Sequence, residues 1–300
     1  MKHVIGVDLG GTKISASVVN DQASLIRSAV VATGAADGPQ AVIGRMADLI
    51  ADLMRGHDVQ AIGVGTPGYV DVNRGKVLFV SDNLPGWSGM ELKQELSRRF
   101  GVPVVVENDA NCAALCESWV GAGRDLDNFL MITLGTGVGG ALYTRKTGIW
   151  HGHSWRGAEI GHFILYPGGI PCNCGQIGCV DQYISGTAVQ NAYQRSTGAS
   201  LDAKSVFDAA EAGDLVCSQI IERFAYDLAI FLTTLKNILD PQAFLVGGGL
   251  IYARHLWWDR VRMHLAANCI GGDRTIMLPA QYLNDAGRIG AAKVALEAIG

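Results

Sequence analysis

Residues 157–181 read GAEIGHFILYPGGIPCNCGQIGCVD, and within them one imidazole and three thiols, His162, Cys172, Cys174 and Cys179, fall inside eighteen positions. Zinc takes four such ligands in a tetrahedron, and a Cys3His set that leaves no place for water is structural rather than catalytic. Glycines 168, 169, 175 and 178, with Pro167 and Pro171 between them, let the backbone wrap tightly around a small ion. Buried free thiols beside a satisfied histidine, or a disulfide, are the other readings. All four ligand types in one glycine-rich loop favour zinc, because disulfides need an oxidising compartment and the sequence shows no route to one.

A second set of residues could handle an anion. Asp8 precedes Leu9-Gly10-Gly11-Thr12-Lys13, in which two glycines let backbone amides approach an anion while Thr12 and Lys13 add side-chain donors. A carboxylate beside such a turn makes sense if a divalent cation lies between them; an ordinary hairpin turn is the alternative. Gly135-Thr136-Gly137-Val138-Gly139-Gly140 repeats the layout, strand, glycine-threonine turn, strand, so the chain reads as internally duplicated. A third glycine turn, Gly247-Gly248-Gly249, follows the strand-like AFLV and suits a nucleotide base or ribose. Glu107-Asn108-Asp109-Ala110-Asn111 sits where a short strand gives way to a helix, a position that faces a cleft in α/β proteins. Asn108 or Asp109 could simply cap that helix, but a cap accounts for one polar residue, not four in five positions.

The elements that carry these residues follow from periodicity. Strands are expected at 3–8, 14–20, 59–65, 103–106, 128–134, 138–143, 243–246 and near 276–280, with another strand and turn from Tyr69. Helices are expected at 39–55, 89–100 (Ser88 and Glu91 forming a capping box, Gly101 the stop), from 110, and at 186–195, 204–212, 216–239 and 286–298, with one more after Gly249. Ile220, Ile221, Phe224, Leu228, Phe231, Leu235 and Ile238 mark a buried stripe on the longest. Gly63-Val-Gly-Thr-Pro-Gly68 matches a dinucleotide-binding pattern in form only: no helix opens there and no acidic partner follows.

Composition sets the limits. Three hundred residues, 49% apolar and 17% charged, can bury a sizeable core in one large or two medium domains. A net charge of -4 offers no basic footprint for nucleic acid, and no uninterrupted apolar span is long enough for a membrane. The chain opens directly on a strand-like run, so a cytoplasmic protein is expected, with Cys112, Cys116, Cys217 and Cys269 as reduced core residues.

Taken together, these motifs resemble the ROK family of sugar kinases and related repressors, over essentially the full length. Asp8 to Lys13 looks like the first phosphate motif, Leu134 to Gly140 the second, Leu245 to Leu250 the adenosine motif, Glu107 to Asn111 the catalytic sugar-binding segment, and Gly157 to His162 with the three cysteines the zinc signature. The resemblance implies a duplicated actin-like ATPase (ribonuclease H-like) α/β fold with two lobes and a cleft between them, a smaller lobe of 1–116 plus 286–300 and a larger one of 117–285. It implies ATP, magnesium near Asp8 and structural zinc as cofactors, and a homodimer or higher homo-oligomer with no nucleic-acid or membrane partner. It makes Asp109 the general base, Gly68, Asn83, Asn108, Glu159, His162 and Asp181 sugar contacts, and Asp8, Gly10, Gly11, Thr12, Lys13, Gly135, Thr136, Gly137, Gly247, Gly248 and Gly249 nucleotide contacts. His162 would serve zinc and sugar, one ring nitrogen each. At position 181 the family usually has glutamate, so the sugar's identity is open.

The expected activity is ATP-dependent phosphorylation of a hexose 6-hydroxyl, glucose first, with N-acetylglucosamine, N-acetylmannosamine and fructose as alternatives. A sugar-responsive transcription regulator would need a helix-turn-helix ahead of the first strand, and that strand is expected at about residue 3.

Overall fold

The computed structural model describes residues 2–80, 84–270 and 275–300. From the amino terminus, β1 (His3–Leu9), β2 (Lys13–Asn20) and β3 (Leu25–Ala32) run as an antiparallel meander, followed by α1 (Pro39–Met54) and β4 (Val59–Thr66). A small hairpin, β5 (Tyr69–Asp71) and β6 (Lys76–Phe79), leads to α2 (Leu92–Phe100), β7 (Val104–Asn108) and α3 (Asp109–Val120). Then come β8 (Asn128–Leu134), β9 (Val138–Thr144), β10 (Gly148–Ile149), α4 (Asp181–Ile184), α5 (Gly186–Thr197), α6 (Ala203–Glu211) and α7 (Leu215–Leu239). The chain ends with β11 (Ala243–Gly247), α8 (Trp258–Asn268), β12 (Ile276–Pro279) and α9 (Ala286–Glu297).

Two five-stranded sheets result, ordered β3-β2-β1-β4-β7 and β10-β9-β8-β11-β12. Each has an antiparallel hairpin on one side and parallel strands on the other, in the same sequential order, so the duplication read from two glycine turns extends through both sheets. Gly63 to Gly68 runs along β4 and on into β5 without opening a helix.

Two compact units divide the chain: 1–125, 141–158 and 281–300 form the first, and 126–140 with 159–280 the second. The first is larger than the expected 1–116 plus 286–300. Glu117, fully buried on α3, explains part of the difference: one carboxylate oxygen accepts the amides of Gln281 and Tyr282 at 2.8 and 2.9 Å, and the other accepts that of Ala122 at 2.8 Å. Three amides satisfy a charge that would be costly to bury alone, and they fasten residues 122, 281 and 282, all expected in the other lobe, to a helix that begins in the first. Arg145 adds a bond to the carbonyl of Arg124 at 2.9 Å.

In the first unit, α1 lays Val42, Ile43, Met46, Leu49, Ile50 and Leu53 into a core with β1, β2 and β4, its first turn opened by Pro39. α2 begins at Leu92, not 89, because the expected capping box does not form. Ser88 turns its hydroxyl to the backbone of Val80, accepting its amide at 3.0 Å, and Glu91 pairs with Lys76 at 2.8 Å. Gly101 ends α2 in the left-handed region, as expected. In the second unit, α7 buries its stripe from Ile220 to Leu235, but Ile238 is 65% exposed. It falls in the last turn, past the residues that the rest of the stripe packs on. Residues Gly249–Leu256 form kinked 3-10 turns before α8 rather than one helix.

The feature of the first unit that most constrains sequence is the backbone approach of α9. A β-carbon on Gly6 or Gly63 would lie 1.8 Å from the carbonyl oxygen of Arg288 or Ala291, and one on Gly290 would lie 1.7 Å from that of Cys112 on α3. Strand, helix and helix touch through bare backbone, so Gly290→Ala should cost about 3 kcal/mol or more through overpacking. Gly44→Ala inside α1, where a β-carbon meets nothing within 4 Å, should gain up to about 1 kcal/mol. Urea unfolding of the two variants checks both signs; a Gly290→Ala protein as stable as the parent would rule out the close approach.

Candidate active site

In the first unit, the turn between β1 and β2 is closed by the Gly10 amide on the Lys13 carbonyl at 2.9 Å. Thr33, just past β3, holds the turn's other carbonyls: its hydroxyl donates to Gly10 at 2.6 Å and its amide to Thr12 at 3.0 Å. With those carbonyls taken, Gly11, Thr12 and Lys13 stand exposed, a turn fit to receive an anion. Asp8, at the end of β1, sits against the first turn of α9, where a β-carbon on Gly287 would come within 2.5 Å of its carboxyl carbon.

Asp109 opens α3. Asn108 caps that helix, its side-chain oxygen accepting the Asn111 amide at 3.1 Å, while its Nδ2 donates to the Gly68 carbonyl at 3.0 Å. The capping reading of Asn108 is therefore right, and it leaves Asp109 unspent on the cap; its Oδ1 accepts from the adjacent Ala110 amide at 2.8 Å. Gly68 has φ 92, and a β-carbon there would meet the Phe79 carbonyl at 2.1 Å, so Gly68 and Asn108 are brought together by a turn only glycine can make. Asn83 lies outside the described residues.

Burial pushes the Asp109 carboxyl up to about 7, and the negative charge of Asp8 adds to the rise. Asp8 is itself raised to about 6 by burial, against the pull of Lys13 and Arg288. Two neighbouring carboxyls, both partly withdrawn from water, favour keeping protons that ordinary surface aspartates lose.

Beside them lies a group that the sequence placed in the polar run without a partner. Glu107, 5% exposed, accepts from the Asn108 amide and from Asn111 Nδ2, both at 2.8 Å, and its second oxygen meets His151 Nε2 at 2.8 Å. His151 belongs to a loop in which Trp155 and Ala158 take positive φ values of 61° and 58°, conformations that side-chain-bearing residues hold only where surroundings force them. Arg156 stacking over Tyr69 at 5.0 Å is a second fastener of that loop. Glu107 was conspicuous within its polar run, but nothing local linked it to a histidine 44 residues away.

In the second unit the turn between β8 and β9 is held by other means. The Gly135 carbonyl accepts the Gly186 amide at 2.7 Å, the Thr136 carbonyl accepts the Thr187 hydroxyl at 2.8 Å, and Asp181 Oδ1 accepts the Val138 amide at 2.8 Å. Gly248, with φ 83, packs directly on the backbone of Leu134, so the Gly247 to Gly249 turn abuts the strand that delivers Gly135 to Gly137. Glu159 precedes and His162 ends a 3-10 turn, Ile160–His162, in which Gly161 lies against the Val138 carbonyl. All the expected second-unit contacts are thus gathered around one turn. Asp181, however, has its carboxylate on backbone rather than presented outward.

The donor atoms of His162, Cys172, Cys174 and Cys179 all lie within 4.8 Å of one another. Two thiolates about 2.3 Å from one tetrahedral zinc are about 3.8 Å apart. Cys174 and Cys179 sulfurs are 3.6 Å apart, and His162 Nδ1 is 3.8 Å from Cys172 sulfur, so the set fits zinc. Gln176 and Gln182, absent from the sequence reading, aim amide nitrogens at these sulfurs from 3.5 to 3.7 Å, donors suited to thiolates.

Twin sheets, each opening on a glycine-threonine hairpin, define the actin-like ATPase class of fold. The chain belongs to the ROK family, whose profile matches residues 4–298. It is 34% identical to a glucokinase of Thermotoga maritima over 99% of this chain and 98% of that one. It is 33% identical to an N-acetyl-D-glucosamine kinase of Vibrio cholerae over 82% and 83%. A crystal structure of a ROK family glucokinase from Streptomyces griseus in complex with glucose and AMPPNP matches with a TM-score of 0.86 at 35% identity, covering 98% of this chain and 99% of that one.

The raised carboxyls have a consequence for stability. Asp109 binds its proton more tightly folded than unfolded, where its pKa is near 3.8, so its ionisation costs nothing below that value and a growing amount up to about pH 7. Asp109→Asn removes that cost. In magnesium-free buffer it should raise the unfolding free energy by on the order of 4 kcal/mol at pH 8, with the gain vanishing toward pH 4. Urea titrations across that range measure it, and a gain that grows toward low pH would contradict the assignment.

Proposed function

We propose that this chain is an ATP-dependent hexose kinase that phosphorylates the 6-hydroxyl of glucose. The observation that carries the reading is Asp109: a carboxyl with its pKa moved to about 7, beside Asp8, at the head of a helix whose cap is supplied by another residue. A general base works best with a pKa near the operating pH. Asp109 accepts the proton of the primary hydroxyl as that oxygen forms its bond to the γ-phosphorus and the bond to the ADP oxygen breaks. Asn108, Glu159 and the Nε2 side of His162 orient the sugar; the turns at Gly10 to Lys13 and Gly135 to Gly137 receive phosphates, and Gly247 to Gly249 the nucleoside. Asp8 would help hold magnesium bound with ATP, which would neutralise phosphate charge. His162, Cys172, Cys174 and Cys179 would hold zinc, which would fix the loop that carries His162.

Glucose comes first because full-length relatives at 34–36% identity are named glucokinases. N-acetylglucosamine is the second reading, supported by the similar Vibrio cholerae kinase and by Asp181, whose short, backbone-bound side chain leaves more room than the glutamate usual there.

ADP release with magnesium-ATP and a panel of glucose, N-acetylglucosamine, N-acetylmannosamine, mannose and fructose tests the reading. We expect the highest kcat/KM with glucose; no turnover of any of them by folded, zinc-replete protein would overturn it. Asp109→Asn should lower kcat about a thousandfold, within the range of a lost general base, while the glucose Kd stays within about threefold; near-normal turnover removes Asp109 as the base. Metal analysis should find one zinc per chain, and Cys174→Ser should lose the metal and raise the KM for sugar. Protein purified under mild conditions with only traces of zinc would refute the structural-metal assignment.

A further inference from the structure

We infer that Asp181 positions the phosphate-binding turn of the second unit instead of contacting the sugar. The inference deepens the kinase reading and rests on it. Three observations support it. Asp181 Oδ1 accepts the Val138 amide at 2.8 Å, immediately after the Gly135 to Gly137 turn. The same oxygen would lie 2.8 Å from a β-carbon on Gly137, so the carboxylate occupies the space a side chain there would need. Its other oxygen accepts from Gln182 Nε2 at 3.3 Å, and that nitrogen also lies 3.6 Å from Cys172 sulfur.

The surrounding chain works to the same end. Asp181 starts α4, which passes through Ser185 into α5, and the first residues of α5, Gly186 and Thr187, hold the carbonyls of Gly135 and Thr136. Carbonyls and the Val138 amide are thus fixed from one continuous segment, 181–187, that leaves the zinc loop at Cys179. A charged acceptor makes the strongest of these bonds. A glutamate at 181 would carry its oxygens about 1.5 Å further along, past the distance at which Val138 is now met. Aspartate at this position therefore exchanges an outward polar contact for rigidity under the nucleotide phosphates.

The test separates nucleotide from sugar binding in the full-length protein. Calorimetric titration with magnesium-AMPPNP and fluorescence titration with glucose are run on wild type, Asp181→Ala and Asp181→Asn, together with the KM for each substrate. Asp181→Ala should weaken nucleotide binding about tenfold, the value of one charge-assisted hydrogen bond, with glucose affinity within about twofold of wild type. Asp181→Asn keeps an acceptor oxygen for Val138 and should restore nucleotide binding to within about threefold. Unchanged nucleotide affinity in Asp181→Ala, or weakened glucose binding in its place, overturns the inference. If the alanine variant does not fold, Asp181→Glu is read by the same two criteria. Wild-type protein that binds no magnesium-nucleotide overturns the kinase reading and this inference with it, a result distinct from equal nucleotide binding by wild type and variant.

Discussion

Two carboxyl groups, Asp8 and Asp109, held near each other and partly out of water, are the constraint on which the first unit is built. Like charges in such surroundings repel and resist ionisation, so the chain around them must be fixed firmly enough to keep them from moving apart. β1 supplies Asp8 from a strand buried on both faces, and α9 closes over it through glycine at 287 and backbone contacts at Gly6 and Gly63. Asp109 is fixed from the other direction: Asn108 caps α3, and Glu107 binds Asn108, Asn111 and His151 together. Stability is given up at the two carboxyls, and recovered in the packing and hydrogen bonds that surround them.

The second unit meets a different requirement. It has to keep its glycine turns from collapsing onto their own carbonyls. The carbonyls of Gly135 and Thr136 are occupied by α5, and Gly248 rests on Leu134, so two flexible sequences become one fixed surface. Glycine is used here for close approach, and the conformational freedom it brings is removed by partners from elsewhere in the chain.

The sequence was legible where function is written locally. Glycine turns, a Cys3His set within eighteen positions and a polar run at a strand end each contain their own evidence, and most strands and helices lie within two residues of where periodicity put them. What escaped was long-range or competitive. Glu117 joins α3 to residues 164 positions on, and His151 meets Glu107 across 44; neither partner advertises the other. The capping box at Ser88 failed because the backbone of Val80, just past β6, claimed the hydroxyl first. Ile238 fits the apolar period of α7, yet period says nothing about where the neighbouring core stops. The place of Asp181 two residues after Cys179 was visible in the sequence, and its bond to Val138 was not.

Duplication explains why the two hairpins ended up with different fasteners. In the first sheet the third strand, β3, is eight residues long and ends beside the turn, so Thr33 can take the carbonyls of Gly10 and Thr12. Its counterpart in the second sheet, β10, has two residues and provides no such arm. Between β10 and β11 the chain instead inserts the Cys3His loop and four helices, and the segment from Asp181 to Thr187 does for the second turn what Thr33 does for the first. The same insertion carries Glu159 and His162, so one stretch of chain joins the Cys3His cluster, the second glycine turn and the proposed sugar contacts.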